Sequence, residues 1–162
     1  MKKIKKNITI KFNNENYNYD IYIDDYFHKN YTNEKLAFKE YSTLVKKIKI
    51  QDLAYEIANL LSKHNYNGDT AIYFNEKRLQ CYTTNSEDDW VLESGVLGSD
   101  YCKYAKNDTI TMTFEGIYSI HDVINYYEPD KSGFLNEFEK LLKKYGYYYE
   151  LGNNWNLALY EL

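Results

Sequence analysis

The sequence predicts an α+β domain: an antiparallel β-sheet with two to four helices packed mainly on one face. Three observations point there. Two-residue alternation of apolar and polar side chains marks segments near 4–12, 17–24 and 109–115. Helical spacing of apolar residues marks 51–64 and 133–145. The order of segments (two strands, one or two helices, several strands, two helices, two strands) has no regular βαβ alternation, so a parallel sheet is not expected.

Each element has its own signal. Ile4, Ile8, Ile10 and Phe12 share one parity against Lys5, Thr9 and Lys11. After the turn residues 13–16, Tyr17, Tyr19, Ile21 and Ile23 alternate with Asn18, Asp20, Tyr22 and Asp24, which completes an N-terminal β-hairpin. Residues 33–50 read two ways. Ala37, Tyr41, Leu44, Val45 and Ile48 fit a helical face, while Ile48 and Ile50 could finish a short strand. Leu53, Ile57, Leu60, Leu61 and His64 form a clear helical stripe that ends at the turn Asn67-Gly68-Asp69. Strands are expected at 70–75 and 78–83 and around Trp90-Val91-Leu92, and irregular chain follows at Gly95, Gly98 and Ser99.

Ile110, Met112 and Phe114 face one way in a strand at 109–115. Ser119 and Asp122 resemble a capping box for a short helix through Tyr126, which Pro129 ends. Ser132 can cap the next helix, where Phe134, Phe138, Leu141, Leu142 and Tyr145 keep helical spacing and Gly146 is the expected terminating glycine. Residues 147–151 and 155–160 complete a C-terminal hairpin. No linker or repeat is visible, so 1–162 reads as a single domain.

Composition narrows the function classes. Of 162 residues twenty are tyrosine, and there is one arginine, Arg78, and one proline. The net charge of −4 argues against direct nucleic-acid binding, which normally draws on a positive excess. Cys81 and Cys102 are too far apart for a C-x-x-C pair and have no clustered histidines, so reduced thiols and no metal are expected. The basic start is not followed by an apolar run of signal or membrane length, so the expectation is a cytoplasmic protein with no membrane contact. There is no G-x-S-x-G, no Gly-rich phosphate loop and no zinc spacing, and no cofactor is implied. Scarcity of arginine also disfavours phosphoryl-transfer and nuclease chemistry.

Asp24, Asp25 and His28 lie within five residues, but neighbouring strand residues point to opposite faces, so they read as a solvated strand end. Glu115, His121 and Asp122 could support a small acid–base enzyme. Asp122 is also explained as the capping partner of Ser119. The five lysines before residue 12 could form a nucleic-acid arm, or guard an edge strand against aggregation.

The strongest interaction signal lies at 87–101. Glu87, Asp88, Asp89, Glu93 and Asp100 are uncompensated by any base between Leu79 and Cys102, and Trp90 and Tyr101 supply aromatic anchors. Tyr147, Tyr148 and Tyr149 place rings on both faces of one strand, which suits protein binding or the stacking of single-stranded bases. Together the acidic segment, the aromatic hairpin at 147–160 and the basic start resemble those of accessory proteins of phages and mobile elements, among them anti-CRISPR inhibitors of RNA-guided nucleases. The resemblance is one of kind, without a shared motif. It implies a non-catalytic protein that docks a basic protein surface, such as a nucleic-acid-binding host nuclease, and blocks it sterically or electrostatically. The alternatives are the acid–base enzyme above and a single-stranded nucleic-acid binder using the basic strand and tyrosines.

Overall fold

The computed structural model describes residues 6–82, 90–114, 118–153 and 155–162. The fold is α+β; among the described residues the strands form two antiparallel sheets of three and six strands, accompanied by three α-helices. By its internal contacts the chain divides into two compact units, Lys2–Lys49 and Ile50–Leu162.

In the smaller unit β1 (Ile8–Asn13), β2 (Asn18–Ile23) and β3 (Tyr26–Tyr31) form a meander in that order. The hairpin pairs Ile8 with Ile23, Ile10 with Ile21 and Phe12 with Tyr19, so the expected alternation sets the register. The third strand was not expected. Asp24 and Asp25, read as a strand end, are the two central residues of a tight β2–β3 turn, both with positive φ (52° and 66°). Two left-handed residues are what a type I′ hairpin turn requires, and aspartate tolerates that region better than most side chains. The Asp24 carboxylate also accepts the Asn7 amide at 2.8 Å.

The ambiguous stretch 33–50 is helical. It forms the first half of α1 (Glu34–Lys63), a single 30-residue helix. Asn33 caps it by accepting the Leu36 amide at 3.1 Å. The boundary between the units falls within this helix, between Lys49 and Ile50. Ala37 is buried in its first half, and Ile50, Leu53, Ala54, Ile57, Ala58 and Leu61 in its second. Asn65, left-handed at φ 58°, ends the helix, with the Tyr66 amide reaching back to the Leu61 carbonyl.

The larger unit is built on a six-stranded sheet ordered β6-β5-β4-β7-β9-β8, comprising β4 (Thr70–Phe74), β5 (Lys77–Cys81), β6 (Trp90–Ser94), β7 (Ile110–Phe114), β8 (Tyr147–Asn153) and β9 (Asn156–Glu161). Ile72, Phe74, Leu79, Ile110, Met112, Phe114, Leu157 and Leu159 pack in one core with the second half of α1, with α2 (Tyr118–Ile124) and with α3 (Phe134–Tyr145). Strands β4 and β7 are central and buried along their whole length.

On their opposite face Tyr73 and Thr111 pack against chain from the 95–108 segment. A Cβ added to Gly98 would stand 3.2 Å from the Tyr73 Cβ and 3.3 Å from that of Ala105, so a side chain here would push its neighbours back by a few tenths of an ångström. The Lys106 amide donates to the Thr111 hydroxyl at 3.0 Å.

The start of α3 uses more than the expected serine. The Ser132 hydroxyl accepts the Phe134 amide at 3.1 Å, and the Asp130 carboxylate accepts the amides of Phe134 (3.2 Å) and Leu135 (2.8 Å). Burial works against the Asp130 charge, but these donors and the Ser132 hydroxyl outweigh it and hold the carboxyl below its ordinary range. Gly146, left-handed at φ 79°, ends α3 as the sequence predicts.

Candidate docking surface

Strand alternation decides what the acidic segment can do. Glu87, Asp88 and Asp89 lie outside the described residues. Trp90 opens β6 opposite Cys81, packs against the helix-side core and donates its indole N–H to the Ser62 hydroxyl at 3.0 Å. Glu93 has the other parity and lies on the opposite face, in register with Arg78. The guanidinium reaches one Glu93 oxygen through Nε (3.1 Å) and Nη2 (2.6 Å), while the Tyr82 hydroxyl donates to the other at 3.0 Å. The hydrogen bonds from Arg78, then that from Tyr82, keep Glu93 ionised below the ordinary carboxylate range.

Tyr101 stacks over Arg78, 5.3 Å from the guanidinium carbon, with its ring centroid 5.4 Å from that of Tyr73. Asp100 is exposed beside it in a single 3₁₀ turn, Gly98–Asp100. The structure therefore brings Glu93 and Tyr101 together around Arg78 and sends Trp90 to the other face. A base adjacent to this segment only across the sheet, invisible in linear spacing, already satisfies the Glu93 carboxylate.

The acid–base alternative is partly assembled. His121 Nδ1 lies 2.8 Å from an Asp122 carboxylate oxygen, and the ring is 5.6 Å from that of Tyr127. Glu115 and the Ser119 side chain lie outside the described residues. The Asp122 carbonyl accepts the amides of Tyr127 and Glu128 at the end of α2. Cys81 and Cys102 are buried and are not joined in a disulfide. Among the described residues no group of three or more His, Cys, Asp or Glu could hold a metal ion, and no helix is long and apolar enough to cross a membrane.

A concave surface lies elsewhere, along β8, one of the two edge strands of the larger sheet. A cavity of about 520 Å³ is lined by Tyr126, by Glu139, Leu142 and Lys143 of α3, and by five consecutive β8 residues, Tyr147 to Leu151. Consecutive residues project to both faces of a strand, so a cavity that touches all five runs along the strand's outer edge.

The three tyrosines divide by parity. Tyr147 is buried in the core, Tyr149 packs half-buried against Phe138 (centroids 5.6 Å apart), and Tyr148 lies on the opposite face against Tyr160 (5.6 Å). Burial, then the Tyr126 hydroxyl 3.3 Å away, pushes the Tyr149 phenol well above its ordinary range, so it stays neutral and available as a donor. On the other face of the strand a second cavity of about 280 Å³, lined by Tyr104 and Tyr160 among others, shares Glu150 and Leu151 with the first.

Tyr126 itself ends α2 in a left-handed conformation, φ 60°. Its amide and that of Tyr127 bond back to Val123 and Asp122, a helix stop in which glycine is usual. A bulky residue held there stores strain, yet the ring is 68% exposed at the mouth of the groove. The run Tyr147–Tyr149 was visible in the sequence as an aromatic surface. Tyr126, Leu142 and the edge position of β8 were not, because they depend on strand order.

Comparison of the chain with protein-family models, with curated proteins and with solved structures finds no match.

Proposed function

We propose that this is a non-catalytic binding protein that docks a basic partner protein, and that β8 receives an extended segment of that partner. The observation that carries this reading is the tyrosine-lined groove along an edge strand. Edges are commonly protected by lysine, proline or a bulge; the β8 sequence YYYELGN contains neither lysine nor proline, and its register shift falls at Leu151–Asn153, past the Tyr147–Glu150 stretch. An added strand gains main-chain hydrogen bonds, while flanking pockets select its side chains. Tyrosines supply rigid contact area at low entropic cost.

Charge favours a basic segment. Ile50–Leu162 carries 18 carboxylates against nine lysine and arginine residues, a net −9, and Glu139 and Glu150 line the groove beside a single base, Lys143. Pairing of β8 with β8 of a second copy would instead bring two net −9 units together. A nucleic-acid-binding nuclease of the kind that anti-CRISPR inhibitors block has the lysine- and arginine-lined surfaces this reading needs. It is the partner class we propose.

The probe is a ten-residue peptide alternating lysine with valine, compared with one alternating lysine with glycine. Both carry the same charge, and only the first favours an extended strand with apolar side chains. The full chain should bind the lysine–valine peptide at least about tenfold more tightly, a difference of about 1.4 kcal/mol. Glu150→Lys, at an exposed site, should weaken both peptides without altering the circular dichroism. Equal affinity of the native chain for the two peptides, or unchanged affinity for both in Glu150→Lys, would contradict the proposal.

A further inference from the structure

Glu139 borders the β8 groove from α3, on one helix face with Leu142 and Lys143. It is half-buried, whereas Lys143 is exposed. Among the described residues, no hydrogen-bond donor or cation pairs with the Glu139 carboxylate. Other carboxylates around α3 are engaged. Glu137 holds Lys63 at 2.6 Å, and Glu56 accepts from Lys144 at 2.8 Å and from Tyr145 at 2.7 Å. Burial and the Tyr126 hydroxyl keep the Tyr149 phenol neutral, and the nearby Glu139 charge acts in the same direction.

Aromatic and hydroxyl groups surround this carboxylate. The exposed Tyr126 ring stands at the mouth, with its hydroxyl 3.3 Å from that of Tyr149. Whichever of the two donates to the other, both oxygens keep lone pairs that can accept from a ligand. Buried Leu142 and Tyr147 give the cavity an apolar wall. Its volume of about 520 Å³ has room for a long side chain.

On the premise that β8 captures an extended segment, we infer that this cavity takes an arginine side chain of that segment, with Glu139 as the anchoring carboxylate. A guanidinium is planar, carries five N–H donors, forks onto a carboxylate and stacks on a ring face. The cavity offers a partner for each of these features. A lysine ammonium is compact and strongly hydrated, and gains less from the rings. An apolar side chain would seal in the Glu139 charge without a donor, which is costly. Long-range charge acts in the same sense. The unit that holds the cavity is net −9, while Lys2–Lys49, with 11 lysines and six carboxylates, is net +5.

The test is fluorescence anisotropy of the full chain with a short labelled peptide that alternates serine with valine. Its central residue is arginine, lysine or citrulline, the neutral isostere of arginine. The arginine peptide should bind about tenfold more tightly than the citrulline peptide and about threefold more tightly than the lysine peptide. Glu139→Gln should abolish the arginine–citrulline difference with the circular dichroism unchanged. Glu76→Gln, the same change of charge at an exposed turn outside the groove, should preserve it. The inference is overturned if the native chain binds arginine no better than citrulline or lysine. It is also overturned if the arginine–citrulline difference survives Glu139→Gln or is lost equally in Glu76→Gln. Any of these results, beside a lysine–valine peptide that still outbinds its lysine–glycine counterpart, leaves strand capture standing. Loss of that preference in the native chain contradicts strand capture and the arginine pocket with it.

Discussion

Tyr126 occupies a position at the end of α2 where glycine would cost least. A left-handed conformation costs a non-glycine residue about 1–2 kcal/mol. The compensation visible in the structure is the placement of its ring at the groove and of its hydroxyl 3.3 Å from that of Tyr149. Stability and binding should therefore move in opposite directions here. Tyr126→Gly is expected to raise unfolding stability by about 1 kcal/mol, read from urea denaturation, and to weaken the lysine–valine peptide about tenfold. A variant both less stable and equally good at binding would remove Tyr126 from the account. Arg78, the one arginine of the chain, shows the opposite case of a residue committed to the sheet itself. Its guanidinium is enclosed by Glu93, Tyr73 and Tyr101, and it organises the sheet face instead of meeting a partner.

At the scale of elements, periodicity was informative wherever one element serves one core. The pairing of Ile8, Ile10 and Phe12 with Ile23, Ile21 and Tyr19 follows directly from alternation, and α3 ends at the glycine the sequence marks. Periodicity failed in α1, because its two halves fall in different units and bury different side chains. No single apolar stripe runs the length of the helix, which left 33–50 ambiguous. β3 was missed because its sequence, YFHKNY, is exposed at five of six positions and carries no apolar alternation; turn geometry and pairing with β2 define it. The candidate site was half legible for a related reason. Aromatic content shows in a sequence, but which strand lies at the edge of a sheet does not.

The tight turns carry a prediction of the same kind. Asn75 and Glu76 link β4 to β5 with φ of 48° and 58°, and Asn-Gly is the pair that this turn type prefers. Glu76→Gly should raise stability by up to about 1 kcal/mol. Unchanged or lower stability would show that the Glu76 side chain has a compensating role.

At the scale of the whole molecule, one chain joins two oppositely charged units, +5 and −9. Capture of a basic extended segment by strand addition at β8 of the acidic unit, as proposed, is tested most directly by hydrogen–deuterium exchange of the full chain with and without the lysine–valine peptide. A strand added to β8 must pair along its outer edge and slow amide exchange there, while central β4 and β7, already paired on both sides, change little. Protection confined to residues 147–151 is the predicted result. Unchanged exchange there at saturating peptide, or protection centred on residues 90–101 instead, would contradict it.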